Sequence, residues 1–138
     1  MLEGIDDIAI AVESLEESIP FYRDSLGLEL VGREEVSDQK VRVAFFKVGN
    51  TKIELLEPTT EDSPISSFLR KRGPGIHHLA LASKDVSESL KGLSDQGVRL
   101  IDEIPRKGAE GKDIAFIHPK STGGVLLELC SEGGAHES

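Results

Sequence analysis

The chain has 138 residues, a formal net charge of −9 and a single cysteine. The length fits one domain or two small modules that share a core, and the acidic charge argues against a nucleic-acid-binding protein, which needs a basic face. One cysteine excludes an internal disulfide and suits a reducing compartment, and the lack of a long apolar run argues against export or membrane spanning. We therefore expect a cytoplasmic protein with no nucleic-acid or membrane partner.

Alternating apolar residues and local helix signals divide the first half of the chain into predicted elements. Ser14 and Glu17 have the spacing of a capping box at a helix start, and Gly27 is a turn residue that follows this helix. The pattern predicts a strand, a helix and three strands near residues 4–12, 15–26, 28–36, 40–48 and 51–57.

A short helix and a second set of elements follow. Ser63 as N-cap, Pro64 at the first helical position and Gly73 as the stop predict a helix over 63–73. Asp85 has the position of an acidic N-cap for another helix. The rest of the pattern predicts a strand, a helix and three strands near residues 76–83, 86–96, 98–103, 113–118 and 124–130.

The second set of elements repeats the first. Residues 7–15 match residues 78–86, with apolar residues and alanines in the same places, and residues 53–56 are echoed by 127–130. Each short match is weak alone. Together, in the same order, they indicate an internal duplication.

The duplication predicts an α+β fold of two tandem βαβββ modules. Module one covers about 4–58, the linker helix about 63–73 and module two about 75–131, in one domain over 1–138. A βαβββ module bends its sheet around one concave face, so we expect the two modules to form a cup-shaped mixed β-sheet.

Four ligand-type residues interrupt apolar strands at related positions of the repeat: Asp7 corresponds to His78, and Glu54 corresponds to Glu128. A carboxylate inside a protein is costly unless it is paired or bound to a metal. Taken singly, a solvent-facing glutamate or a structural histidine explains each position as well. Because a cup would bring all four together, the repeat favours a site for a divalent ion such as Co²⁺, Mn²⁺, Mg²⁺, Zn²⁺ or Ni²⁺.

Two other residues are weaker candidates for chemistry. Cys130 lies at a strand end and is expected to be a small core residue rather than a nucleophile. His77 directly precedes His78, so strand alternation directs its side chain to the opposite face.

The repeat and several local motifs resemble the vicinal oxygen chelate superfamily, which includes glyoxalase I and extradiol dioxygenases. Within it, the chain is similar to the methylmalonyl-CoA epimerase family over nearly its whole length. The weaker matching stretches are 39–44, 49–58 and 62–65. The more specific ones are Gly75-Ile76-His77-His78, His118-Pro119-Lys120-Ser121 and Gly123-Gly124-Val125-Leu126-Leu127-Glu128-Leu129.

The resemblance implies a set of metal ligands. His78 and Glu128 take ligand positions, and Glu54 takes a ligand position that holds Gln or Glu among relatives. The first ligand of the family is a histidine, and this chain has Asp7 in its place. Some members carry a glutamate, proposed as an acid/base group, where this chain has Val43. Co²⁺ is the ion expected first, with Mn²⁺, Mg²⁺, Zn²⁺ and Ni²⁺ as alternatives.

The resemblance also implies an activity. The expected reaction interconverts (R)- and (S)-methylmalonyl-CoA by C2 proton abstraction through a metal-stabilised enolate. Glu54 and Glu128 would be the catalytic acid/base groups, and Arg106 and Lys107, or residues 70–72, would bind the CoA phosphates. A homodimer is expected from the family. Two alternatives stay open: another enzyme of the superfamily such as a glyoxalase-type lyase, and a metal-free small-molecule-binding protein.

Overall fold

The computed structural model describes residues 2–132 and divides them into two compact units. The first unit comprises residues 7–77, and the second comprises residues 2–6 together with 78–132. The first five residues of strand β1 (Leu2–Ala11) belong to the second unit, and its remaining residues belong to the first. The predicted single domain over 1–138 stays a prediction.

The first unit has the predicted order of elements. After β1 come helix α1 (Leu15–Pro20), strands β2 (Glu29–Val36), β3 (Val41–Val48) and β4 (Thr51–Pro58), and helix α2 (Pro64–Arg72). The strands pair in the order β2-β3-β4-β1. Strand β4 runs parallel to β1, and the other pairs are antiparallel.

The first helix begins as its sequence predicts and then widens. Ser14 Oγ accepts a hydrogen bond from the Glu17 amide at 3.2 Å, as expected of the capping box. Pro20 has no amide hydrogen to donate to the preceding turn. The chain continues as a π-helical turn over Phe21–Ser25, closed by a 2.9 Å bond from the Leu26 amide to the Phe21 carbonyl.

The second unit repeats this arrangement. Its elements are strand β5 (Gly75–Ser83), helix α3 (Val86–Asp95), the short strand β6 (Arg106–Lys107), strand β7 (Asp113–Ile117), helix α4 (Pro119–Thr122) and strand β8 (Leu127–Ser131). The strands pair in the order β5-β8-β7-β6, with β5 and β8 parallel. The α+β fold of two tandem βαβββ modules is therefore confirmed.

The strand predicted over 98–103 is wrong. Only one isolated bridge, Leu100 with Ile117, forms there, and the paired strand comes later as the two residues of β6. The Asp102 carboxylate accepts a hydrogen bond from the Phe116 amide at 2.9 Å. In a longer strand pair this amide would donate to a backbone carbonyl instead. Pro105, just before β6, has no amide to add to such a ladder.

Each unit packs its helix against one face of its strands. In the first unit, Leu15 and Ile19 of α1 pack with Ala44, Phe46 and Leu55. In the second unit the equivalent core on α3 is formed by Val86, Leu90, Ala115, Ile117 and Leu129. Since side chains alternate along a strand, the neighbours of these core residues point to the opposite face, which we call the site face of each unit.

Candidate active site

Two of the predicted ligands meet on the site face of the second unit. Glu128 on β8 is the register partner of Ala80 on β5, and His78 lies two residues before Ala80 on the same face. His78 Nε2 and Glu128 Oε1 are 3.4 Å apart, and both side chains are about nine-tenths buried. The structure thus brings an imidazole nitrogen and a carboxylate oxygen, two donor types that bind divalent ions, close together.

Phe116 lies beside this pair. It is the register partner of Glu128 on β7, and its ring makes an edge contact with the His78 imidazole at a centroid distance of 5.3 Å and an interplanar angle of 88°. Arg106 lies over the same ring, 5.6 Å from its centroid. The aromatic ring restricts the orientations open to the imidazole. Sequence reasoning did not identify Phe116 as part of the site.

A largely buried ion pair also lies in the second unit. Lys112 Nζ is 3.1 Å from both carboxylate oxygens of Asp6 and 3.8 Å from Glu110. Burial disfavours the charged lysine, but the attraction of Asp6 and its hydrogen bonds outweigh this and raise the pKa of Lys112 above its ordinary value of 10.5. The pair holds β1 to the chain entering β7.

Replacing Asp6 by Asn should destabilise the protein by about 1–3 kcal/mol, because it leaves a largely buried ammonium without its carboxylate. Since the pKa of Lys112 is raised, the stabilisation should be complete below pH 10.5 and should be lost as the pH rises through the higher folded-state value. Urea unfolding at pH 7 measures the difference. Asp24→Asn, which removes the exposed Arg23–Asp24 pair, is the matched control and should leave stability unchanged. Equal stability of the two variants would contradict a structural role for the buried pair.

The other two predicted ligands share the site face of the first unit. Asp7 on β1 is 2% exposed, and Glu54 on β4 is half-buried. The register partners are Asp7 with Lys52 and Ala9 with Glu54, so Asp7 and Glu54 point to the same side of the strands. Val43 and Phe45 of β3 lie on this face as well, and both are buried. The combination of all four residues in one metal site stays a prediction.

The remaining predicted residues have other surroundings. Arg106 and Lys107 are exposed on β6, and each faces a carboxylate, Asp102 at 3.2 Å and Asp113 at 2.8 Å. Their predicted contact with CoA phosphates stays a prediction. His77 packs edge-on against Phe68 of α2 at 5.0 Å in the first unit. Cys130 is 2% exposed in the core, as its sequence context predicts.

The His78–Glu128 pair fits a divalent metal ion. When two ligand atoms are each about 2.1 Å from one ion and the ligand–ion–ligand angle is about 90–110°, the two atoms lie roughly 3.0–3.4 Å from each other. The 3.4 Å between His78 Nε2 and Glu128 Oε1 falls within that range. Imidazole nitrogen and carboxylate oxygen are also a donor set that Co²⁺, Mn²⁺ and Zn²⁺ accept.

Between residues 2 and 132, no helix is long and apolar enough to cross a membrane.

Comparison with known proteins gives consistent results. The model of the glyoxalase/bleomycin resistance protein/dioxygenase superfamily matches residues 6–116. The chain is 52% identical to the uncharacterized protein YqjC of Bacillus subtilis, over 96% of this chain and 95% of that protein. It is 40% identical to the ethylmalonyl-CoA/methylmalonyl-CoA epimerase of Cereibacter sphaeroides, over 94% of this chain and 98% of that enzyme.

A solved structure agrees with these sequence relatives. It is a variant of the Streptomyces coelicolor methylmalonyl-CoA epimerase in complex with 2-nitronate-propionyl-CoA, and it matches this chain with a TM-score of 0.92 and 39% identity over 96% of each chain. The chain therefore belongs to the glyoxalase/bleomycin resistance protein/dioxygenase superfamily and is, within it, an enzyme of the methylmalonyl-CoA epimerase family.

Proposed function

We propose that this enzyme interconverts (R)- and (S)-methylmalonyl-CoA. The observation that carries the proposal is the buried His78–Glu128 pair on the site face of the second unit, in a chain of the epimerase family. The similar Streptomyces coelicolor enzyme is solved with 2-nitronate-propionyl-CoA. A nitronate is planar at carbon and carries negative charge on oxygen, as an enolate does, which supports a reaction through an enolate.

The proposed metal ligands are Asp7, Glu54, His78 and Glu128. Their support is the sequence repeat, the resemblance to the family and the geometry of the His78–Glu128 pair. Oxygen and imidazole donors suit Co²⁺ first, and Mn²⁺, Mg²⁺, Zn²⁺ or Ni²⁺ as alternatives. When bound, the ion would supply a positive charge that stabilises the oxygen anion of the enolate.

The residues of the chain would move the proton. The C2 hydrogen of the substrate lies between a thioester and a carboxylate, so its C–H electron pair can move into the thioester carbonyl as a base takes the proton. An acid then returns a proton to C2 from the opposite side, which inverts the centre. Glu54 and Glu128 are the proposed pair, because they come from corresponding strands of the two modules.

The proposal also covers the binding of the CoA part and the assembly. Arg106 and Lys107 are the proposed phosphate contacts, since both are exposed cations on one short strand. Their present partners, Asp102 and Asp113, would have to share them with the phosphates. A homodimer and a cytoplasmic location are proposed from the family resemblance and from the reducing compartment that a single cysteine suits.

Proton exchange at C2 tests the proposed function directly. The enzyme is incubated with methylmalonyl-CoA in D₂O, with and without added Co²⁺, and the loss of the C2 proton signal is followed by NMR. We expect exchange that depends on both enzyme and metal. Turnover of a hemithioacetal with no C2 exchange would instead favour a glyoxalase-type lyase and would overturn the proposal.

Replacing Glu54 by Gln should separate its two proposed roles. An amide oxygen can still coordinate a metal, but it has lost the negative charge and does not accept the C2 proton, so we expect metal affinity lower by about tenfold and kcat lower by about 10²-fold. Calorimetric titration with Mn²⁺ and the exchange rate are measured on the same preparation. Parental turnover in the variant would mean that Glu54 is a ligand only and that the second acid/base group is elsewhere.

Replacing Asp7 by His should strengthen the binding of Co²⁺ or Zn²⁺ relative to Mn²⁺, because a nitrogen ligand favours these ions more than an oxygen ligand does. The dissociation constants of Co²⁺ and Mn²⁺, measured for the parent and the variant, give the ratio. The comparison of two ions within one variant removes general effects of placing a larger side chain at a buried position. An unchanged ratio would show that Asp7 does not bind the metal.

A further inference from the structure

Asp7, Lys52 and Glu54 are charged neighbours on the site face of the first unit. Asp7 and Lys52 are register partners on the parallel strands β1 and β4, and Glu54 follows Lys52 two residues later on the same face. Neighbouring strands lie about 4.8 Å apart. The Cα atoms of Asp7 and Lys52 therefore lie next to each other on neighbouring strands, and Glu54 is two residues further along β4 on the same face.

The lysine side chain lies along this face rather than extending away from it. Lys52 Nζ lies 5.5 Å from the centroid of the Phe45 ring, within the range of a cation–π contact. Phe45 is 3% exposed and is the register partner of Glu54 on β3. The ammonium thus lies against the ring of the residue that pairs with Glu54, and Lys52 itself is half-buried.

We infer that Lys52 is the built-in counter-cation of Asp7 and Glu54 and that it sets how tightly this face binds a divalent ion. A carboxylate that is 2% exposed, such as Asp7, is costly unless a positive charge lies near it. Lys52 is the cationic residue whose backbone lies directly opposite Asp7 in the register of β1 and β4. A divalent ion that binds the same carboxylates must share them with the ammonium, so the lysine weakens metal binding and keeps the metal-free protein stable.

The inference rests on the proposed metal site, and two measurements separate them. Lys52→Met keeps the length and packing of the side chain on Phe45 but removes the charge. Lys52→Arg keeps the charge. Lys47→Met is the matched control, because Lys47 is the register partner of Lys52 on the same face but is exposed at the strand end. Each protein is freed of metal, titrated with Mn²⁺ in a calorimeter and unfolded by heat without metal.

We expect Lys52→Met to bind Mn²⁺ about tenfold more tightly than the parent, because a unit charge a few ångströms from the ion no longer opposes it. Its metal-free form should also unfold at a lower temperature, and Mn²⁺ should reverse that difference. Lys52→Arg and Lys47→Met should both stay within about twofold of the parental affinity.

The outcomes distinguish the two proposals. Should the parent bind Mn²⁺ while Lys52→Met and Lys47→Met show the same affinity, the role of Lys52 is wrong and the metal site stands. Should the parent bind no Mn²⁺, the proposed metal site is wrong. The counter-cation role of Lys52 is then tested by the melting temperatures of the metal-free proteins alone. A Lys52→Met protein that melts with or above Lys47→Met then overturns the counter-cation role.

Discussion

Removal of divalent metal with EDTA is expected to abolish C2 proton exchange, and added Co²⁺ or Mn²⁺ is expected to restore it. Without the ion, the proposed acid/base carboxylates of Glu54 and Glu128 remain, but no divalent cation would offset the negative charge of the enolate. Stabilisation of developing charge is usually the largest single contribution to catalysis, so we expect the rate to fall by about 10³-fold or more.

The measurement is the exchange rate of protein that was dialysed against EDTA, freed of the chelator and then assayed with each ion. Circular dichroism before and after dialysis is the control that the fold survives. Full exchange by protein with a metal content far below one ion per chain would rule out the metal mechanism while leaving the family assignment intact.

Replacement of Glu128 by Ala is expected to abolish turnover and weaken metal binding together. Glu128 is 8% exposed, its carboxylate lies 3.4 Å from the His78 imidazole, and it is proposed both as ligand and as acid/base group. Loss of an acid/base group alone lowers a rate by about 10²–10⁴-fold. We therefore expect exchange to fall by at least about 10³-fold and the Mn²⁺ dissociation constant to rise at least about tenfold.

Two companion variants make this result specific. Glu103→Ala removes an exposed carboxylate from the same unit and should change neither quantity. Glu128→Gln keeps an oxygen that can coordinate and should lose turnover with a smaller loss of metal affinity. Parental metal affinity in Glu128→Ala would remove Glu128 from the ligand set. Parental turnover would remove it from catalysis.

Much of the fold could be predicted because its signals are local. The capping arrangements at Ser14 and Asp85 form as expected, each side chain accepting an amide three residues later at 3.2 Å. The helix at Pro64–Arg72 also begins as predicted, with Ser63 as its N-cap, and there the Ser63 hydroxyl accepts the Ile65 amide two residues later at 3.1 Å. Such interactions join residues a few positions apart, so their spacing in the sequence is sufficient to identify them.

The boundaries of the second module were less predictable. Residues 98–103 have the apolar spacing of a strand, but only Leu100 forms a bridge, because the Asp102 carboxylate takes the Phe116 amide across 14 positions of sequence. Spacing alone does not distinguish a side-chain acceptor from a backbone acceptor. The ladder therefore resumes only at Arg106–Lys107.

The sequence by itself determined the duplication, the βαβββ order and the four ligand-type residues, because period and repeat are properties of the chain alone. The strand order and register decided what those residues meet: Glu128 beside His78 and Phe116, and Lys52 on the ring of Phe45. The ion pair between Lys112 and Asp6, which are 106 positions apart in the sequence, is another contact that the tertiary structure decided. Such contacts depend on which strands pair and in what register, and that is settled only when the whole sheet of a unit forms.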